Sequence, residues 1–90
     1  MKIGIIGTGY VGLTQSVCMA SYLTNHEFIG IDIDETKVDS LNNGIPTIYE
    51  DGLEELLKKD LSQGNLKFSS EYANLVDCQV IFIAVGTPTD

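Results

Sequence analysis

Three glycines near the start of the chain have a spacing at which backbone groups could bind phosphate. Gly7, Gly9 and Gly12 follow the short apolar segment 3–6 in the pattern G-x-G-x-x-G. In such a turn the first glycine permits a tight strand-to-helix bend, the second leaves space for a pyrophosphate, and the third lets the helix approach the sheet. The N–H groups at the helix N-terminus then point at the phosphates. Purely structural glycine turns share this pattern, so alone it indicates a nucleotide only weakly.

A carboxylate about 20 residues beyond the turn strengthens the nucleotide interpretation. Asp32 follows the apolar segment 28–31, where it could accept hydrogen bonds from the hydroxyls of an adenosine ribose. It would repel a 2′-phosphate, and the chain contains no arginine to bind one, so NAD is favoured over NADP. A simple turn residue or helix cap is the alternative for Asp32, but Asp34 is better placed for capping. Lys37 is either a second adenosine contact or a solvated lysine.

A second polar loop follows the last apolar segment of the chain, 79–85. Open α/β sheets bind ligands at the carboxyl ends of their strands, so this loop could line the nicotinamide side of a cofactor. A polar turn without a ligand is the alternative. The candidate residues are Val85, Gly86, Thr87, Pro88 and Thr89.

The hydrophobic pattern predicts alternating strands and helices around these residues. The expected buried residues are Leu13, Val17 and Ala20 in the first helix, Val38 and Leu41 in the second, and Tyr72, Leu75 and Val76 in the last. Asp34 is the predicted cap of the second helix, and Asp51 with Glu54 resembles a capping box for the third. The short segment 66–69 suits an edge strand, whereas 79–85 is apolar enough to need cover on both faces. The expected strands are 2–6, 27–33, 66–69 and 79–85, and the expected helices are 10–23, 34–41, 52–61 and 70–76.

Length and charge limit the classes of protein to consider. Ninety residues with 43% apolar content allow one modest core, and a net charge of −8 argues against a nucleic-acid or anionic-membrane surface. The apolar run 3–6 is too short and too soon interrupted by glycine for a signal peptide or a membrane span, so a cytoplasmic protein is expected. Cys18 and Cys78 lack metal-ligand spacing, with only His26 as a companion, and are expected to be buried small hydrophobic residues without a metal.

Four separated segments resemble the N-terminal NAD-binding domain of the UDP-glucose/GDP-mannose dehydrogenase family. They are 7–13, 31–34 with Lys37 and Val38, 48–50 with Gly52 and Leu53, and 85–89. Tyr10-Val11 inside the glycine turn and the G-T-P-T loop are more selective than the glycines. One departure is that the family commonly reads P-I-Y-E-P-G-L where this chain has Thr47 and Asp51, with its proline at Pro46.

The resemblance implies an NAD-dependent enzyme that oxidises the primary alcohol of a nucleotide sugar, such as UDP-glucose, twice to the uronate. Asp32 and Lys37 would contact the adenosine ribose, and residues 85–89 the rest of the cofactor. The pyrophosphate would lie on the turn made by Gly7, Thr8, Gly9, Tyr10, Val11 and Gly12.

The family's catalytic thiol, its assisting lysine and acidic groups, and its sugar-nucleotide-binding half lie beyond residue 90. We therefore expect no catalytic residue here. The expected fold is α/β, a Rossmann-type doubly wound parallel sheet over residues 1–90, truncated to roughly its first four strands and inactive alone. The sugar nucleotide would bind only to the full-length parent, and strand 80–85 could mediate self-association.

The sequence allows two other functions. One is the first domain of a different NAD dehydrogenase, of the hydroxyacid or hydroxyacyl-CoA type, which the Tyr10-Val11 turn and the G-T-P-T loop disfavour. The other is a stand-alone sensor module that binds NAD or another adenine nucleotide and catalyses nothing.

Overall fold

Four parallel strands form one sheet in the computed structural model, which describes residues 1–84. The strands are β1 (Lys2–Ile6), β2 (Glu27–Ile31), β3 (Leu66–Ser69) and β4 (Val80–Ile83). Their order is β3-β2-β1-β4, so β1 lies between β2 and β4. The α/β class and the edge position of β3 are confirmed, and β2 ends directly before Asp32.

Three α-helices and one short 3₁₀ helix connect the strands. They are α1 (Tyr10–Tyr22), α2 (Glu35–Asn42), α3 (Leu53–Gln63) and the 3₁₀ helix (Tyr72–Leu75). The three α-helices cover one face of the sheet, and the 3₁₀ helix reaches the other face on the way back to β4. This reversal is the doubly wound arrangement that the sequence predicts. Within residues 1–84, no helix is both long and apolar enough to cross a membrane.

The larger core lies between the three α-helices and the sheet. As predicted, Leu13, Val17 and Ala20 of α1 are fully buried. The helix α2 contributes Val38 and Leu41, its two expected apolar residues, and α3 contributes Leu53 and Leu57. The remaining buried members of this core come from the strands: Ile3, Ile5, Phe28, Leu66 and Phe68. The 3.6-residue period of the apolar positions therefore predicts the buried helix faces correctly.

The N-terminus of α1 lies directly against the glycine turn. Gly7 has φ 102°, a left-handed conformation that glycine adopts without strain. A Cβ atom added to Gly12 would stand 2.0 Å from the Gly7 carbonyl oxygen and 2.9 Å from its carbonyl carbon. Both atoms belong to the backbone and cannot rotate away. The close approach of α1 to the turn therefore requires glycine at position 12.

The two predicted helix caps have different outcomes. Asp34 caps α2 as expected, since its side chain accepts hydrogen bonds from the amides of Thr36 and Lys37 at 3.0 and 3.2 Å. The predicted capping box of α3 is wrong, because Gly52 with φ 82° is the residue that precedes the helix. Glu54 is then the second residue of the helix, whereas a capping box needs the third.

Three predictions of burial are also wrong. The segment 70–76 forms only the 3₁₀ helix, in which Leu75 is buried while Tyr72 and Val76 are 53% and 88% exposed. Cys18 is exposed because α1 turns a different side, with Leu13 and Val17, toward the sheet. All four residues of β4 are exposed among the described residues, although their composition predicts cover on both faces.

One carboxyl group is buried between α1 and α3. Asp60 has no exposed surface, and its Oδ1 accepts a hydrogen bond from Ser21 Oγ at 2.7 Å. Its Oδ2 has no hydrogen-bond partner within the described part of the chain. Desolvation raises the pKa of Asp60 above its ordinary value. The hydrogen bond from Ser21 and the charge of Lys59 lower this pKa, but by less than desolvation raises it. Folding therefore makes the Asp60 carboxyl easier to protonate than it is in the unfolded chain.

We predict that Gly12→Ala lowers the free energy of unfolding by about 3 kcal/mol, because the new methyl group overlaps the backbone of Gly7. Gly9→Ala is the matched control, since a Cβ there meets no atom within 4 Å and Gly9 has φ −69°. Urea denaturation followed by circular dichroism measures both variants. Equal stability of the two would contradict the steric explanation.

Candidate functional site

The carboxyl ends of β1 and β2 bring the glycine turn and Asp32 together. The two strands pair in register from Lys2 with Glu27 to Ile6 with Ile31. One further hydrogen bond, from the Gly7 amide to the Ile31 carbonyl at 2.7 Å, extends the pairing into the turn. Asp32 therefore lies beside the turn although 24 residues separate it from Thr8. The sequence spacing correctly predicts this juxtaposition.

The N-terminus of α1 is open toward solvent. Gly9 precedes the helix, and among the described residues no side chain caps it and no acidic residue lies in its first turn. The first amides of a helix have no partners within the helix, so they are available to an external acceptor. Tyr10 and Val11 are exposed beside them, and the position of a Gly9 Cβ atom is empty. This arrangement can bind an anionic group such as a phosphate.

The Asp32 carboxylate is fixed by Thr8, a contact that the sequence did not indicate. Thr8 is 1% exposed, and its Oγ1 donates a hydrogen bond to Asp32 Oδ2 at 2.5 Å. Its amide contacts the same oxygen at 3.3 Å, and the Asp34 amide donates to Oδ1 at 2.9 Å. The Thr8 side chain thus orients Asp32, and no pattern in the sequence distinguishes this role from phosphate contact.

Lys37 completes the electrostatic surroundings of Asp32. Its Nζ lies 3.7 Å from Asp32 Oδ2, and both side chains are partly exposed. Partial burial raises the pKa of Asp32, but the hydrogen bonds from Thr8 and the Asp34 amide, with the charge of Lys37, outweigh that effect. The pKa of Asp32 is therefore held below its ordinary value of 3.8. At neutral pH this group is a carboxylate, which accepts hydrogen bonds and cannot donate them.

A cavity of about 150 Å³ opens beside Asp32 at the same end of the sheet. It is lined by the ends of β1 and β2, by Ile33 and by Tyr72. The apolar helical pattern of residues 70–76 predicts a buried Tyr72, but the structure places this residue beside the cavity. Tyr72 begins the short helix that follows β3, at the carboxyl ends of the strands. This position in the sequence could have indicated that it lies beside the site.

The second predicted loop of the site follows β4 in the sequence. Val85, Gly86, Thr87, Pro88 and Thr89 lie outside the described residues. Their assignment remains a prediction from the sequence.

We predict that Thr8→Val lowers the free energy of unfolding at neutral pH by about 1.5–3 kcal/mol, because a hydrogen bond to a charged group is lost. The pKa of Asp32 should rise in the variant. In the parent protein this pKa lies below 3.8, so the stabilisation is present above that pH and is lost as the pH falls through the folded-state pKa. The stability difference between variant and parent should therefore shrink in strong acid.

Urea denaturation at neutral pH and in acid measures this difference. Thr36→Val is the control, since Thr36 is exposed and contributes only its amide to the Asp34 cap. A difference that stays constant with pH would contradict the role of Asp32 ionisation.

Comparisons with known proteins agree with this geometry. A UDP-glucose 6-dehydrogenase of Bacillus subtilis is 46% identical over 89 residues, which are 98% of this chain and 20% of that protein. An uncharacterized protein of Methanocaldococcus jannaschii is 51% identical over 90 residues, the whole chain but 10% of that protein. In a crystal structure of a ternary complex, a GDP-mannose dehydrogenase of Pseudomonas aeruginosa superposes with a TM-score of 0.91 at 41% identity, covering all of this chain and 20% of that one.

The chain thus spans a tenth to a fifth of the length of these relatives. A family model for the NAD binding domain of the UDP-glucose/GDP-mannose dehydrogenase family matches residues 1–90 in full. This match covers the glycine turn, Asp32 and the whole sheet. The chain belongs to the UDP-glucose/GDP-mannose dehydrogenase family, as its NAD binding domain, and its cofactor is NAD.

Proposed function

We propose that residues 1–90 form the N-terminal part of an NAD-binding domain in which the cofactor spans the glycine turn and Asp32. The observation that carries this proposal is the uncapped N-terminus of α1, where a Cβ on Gly9 would meet no atom within 4 Å, next to a turn whose Thr8 holds an ionised Asp32. An anion and a pair of ribose hydroxyls are the two chemical groups that these features complement. A dinucleotide presents both in one molecule.

The pyrophosphate fits the turn because backbone amides alone can donate the hydrogen bonds that its oxygens accept. The amides of Gly9, Tyr10, Val11 and Gly12 lie at the positive end of the α1 dipole, and no acidic side chain of the first helical turn competes with a phosphate. Gly7 permits the bend and Thr8 orients Asp32. A side chain at position 9 would occupy the proposed phosphate position.

The adenosine ribose fits Asp32 because a carboxylate is an acceptor only. Its two oxygens offer about four acceptor positions, and Oδ1 accepts one hydrogen bond in the structure, from the Asp34 amide. The charge of Lys37, whose Nζ lies 3.7 Å from Oδ2, helps to keep the pKa of this group low, and Lys37 would contact the same ribose. A 2′-phosphate would be repelled, which supports NAD rather than NADP. Residues 85–89 would contact the remainder of the cofactor.

The parent activity that we propose is oxidation of a nucleotide sugar, UDP-glucose or a related compound, to the uronate with reduction of NAD. The relatives named above support this class, since one is a UDP-glucose 6-dehydrogenase and another a GDP-mannose dehydrogenase. NAD accepts hydride when bound, and the residues of this chain would hold and orient it. We assign no catalytic group to residues 1–84. NADH formation by the complete gene product with UDP-glucose, compared with GDP-mannose, tests the substrate.

We also propose that a second copy of the chain can pair with β4. This strand lies at one edge of the sheet formed by the described residues, and its four apolar side chains are exposed. An apolar edge with free backbone groups is a template for strand pairing. The chain should therefore associate with itself at high concentration.

Sedimentation velocity over a range of concentrations measures this association. Phe82→Lys should keep the chain monomeric, because a charge on the edge strand opposes pairing. Lys67→Glu, at the exposed surface of the opposite edge strand β3, is the control. A strictly monomeric parent chain at high concentration would contradict the proposal.

For the cofactor site, we predict that Asp32→Ala weakens NAD binding by about 1.5–3 kcal/mol, because hydrogen bonds to a charged group are lost. Asp39→Ala is the control, since Asp39 is exposed on α2 and its carboxylate has no hydrogen bond within the described residues. Isothermal titration calorimetry measures both affinities. Unchanged binding by Asp32→Ala would remove Asp32 from the site.

A second variant tests the turn. Gly9→Val should abolish NAD binding while its circular dichroism stays near native, because the site is open and the backbone of Gly9 suits any residue. Full NAD affinity in this variant would mean that the turn serves only the fold.

A further inference from the structure

We propose that the side chain of Asn42 closes the outer edge of β3 to strand pairing, so that the sheet gains a further strand only at β4. This inference rests on the self-association proposed above and adds a limit to it. A chain with one open sheet edge can pair with one other copy, whereas a chain with two open edges can continue to add copies. Association should therefore stop at a dimer.

The backbone of β3 directs alternate residues toward β2 and away from it. At one end the Asn65 carbonyl oxygen accepts a hydrogen bond from the Phe28 amide at 2.7 Å. At the other end the Ser69 carbonyl oxygen accepts one from the Asp32 amide at 3.1 Å. Because the direction alternates along a paired strand, the N–H and C=O of Phe68 face away from β2. A strand added at this edge would need both groups.

The side chain of Asn42 occupies both of these groups. Its Nδ2 donates a hydrogen bond to the Phe68 carbonyl oxygen at 2.9 Å, and its Oδ1 accepts one from the Phe68 amide at 3.0 Å. A carboxamide carries the same donor and acceptor as a peptide group, so it takes the place that one peptide of an added strand would take. Since Asn42 is the last residue of α2, the end of the helix also lies beside this edge.

The packing of α2 holds Asn42 in this position. Val38 and Leu41 of the helix are buried in the same core as Phe68. The next residue, Asn43, directs its amide elsewhere, since its Nδ2 donates to the Asp39 carbonyl oxygen of its own helix at 2.8 Å. Two neighbouring asparagines therefore have different partners, and Asn43 provides a matched control for Asn42.

The opposite edge of the sheet has none of this protection among the described residues. The side chains of β4 are all apolar and between 37% and 72% exposed. In β3, by contrast, Leu66 and Phe68 are buried and the exposed side chain is the charged Lys67. A charge on an edge strand opposes pairing. The two edges of the sheet thus have opposite properties.

This difference determines which assembly can form. Two copies that pair through β4 use the same surface on both chains, and the contact closes after one pairing. Pairing of β3 in one copy with β4 in the next would be head-to-tail and would leave a free edge at each end, so copies could be added without limit. By occupying Phe68, Asn42 opposes this second arrangement.

The test uses a double variant in which Asn42 is the remaining barrier. Phe82→Lys places a charge on β4, and Lys67→Thr removes the charge from β3 while keeping a residue that suits a strand. Sedimentation velocity should find the double variant monomeric at every concentration. Adding Asn42→Ala should produce concentration-dependent dimers, whereas adding Asn43→Ala should not.

Amide hydrogen exchange followed by NMR separates an opened edge from an unfolded strand. At low concentration, Asn42→Ala should speed exchange of the Phe68 amide by roughly 2- to 10-fold, the equivalent of one hydrogen bond. The amides of Phe28 and Asp32, which bind the two ends of β3, should exchange as in the parent chain. At high concentration the Phe68 amide should regain protection as new pairs form.

Dimers of the double variant before Asn42 is replaced would overturn the inference, as would a monomeric chain after Asn42→Ala is added. Faster exchange of Phe28 and Asp32 together with Phe68 would also overturn it, because Asn42 would then hold the strand and not close its edge. Species of the parent chain larger than a dimer would have the same consequence. If the parent chain is strictly monomeric, the proposed pairing at β4 fails, while the comparison of Asn42 with Asn43 still decides this inference.

Discussion

The first turn of α1 lies so close to the Gly7 carbonyl that no side chain fits between them, and the candidate site depends on this contact. A helix held at a greater distance would place its first amides farther from the turn. The left-handed backbone of Gly7 sets the direction of the bend, and Gly12 allows the approach. Gly7 and Gly12 are therefore required by the fold, whereas Gly9 leaves the space that the proposed phosphate would occupy.

The elements with regular apolar spacing could be predicted from the sequence. The central strand β1 and the inward faces of α1 and α2 follow from patterns within single segments, as does the cap at Asp34. The nearness of the turn to Asp32 was also predictable, because a parallel strand-helix-strand unit brings both to one edge of the sheet. These features depend on local sequence and on one rule of topology.

The features that were missed depend on contacts between distant segments or on a local backbone conformation. The hydrogen bond from Thr8 to Asp32 joins residues 24 apart, and nothing at either position distinguishes it from a phosphate contact. The helix α3 begins after a left-handed Gly52, which shifts the register that a cap at Asp51 would require. Apolar composition likewise could not show that Tyr72 lines the cavity beside Asp32 while Leu75 is buried.

The buried Asp60 gives the scaffold an acid response opposite to that of the site. Its raised pKa means that its contribution to stability is complete below the ordinary aspartate value of 3.8 and is lost as the pH rises through the folded-state pKa. The lowered pKa of Asp32 makes its contribution complete above 3.8 and lost in stronger acid. Both contributions are together largest near that value. Acidification from neutral pH toward 3.8 should therefore increase the contribution of Asp60, while Asp32 keeps most of the charge that the proposed ribose contact requires.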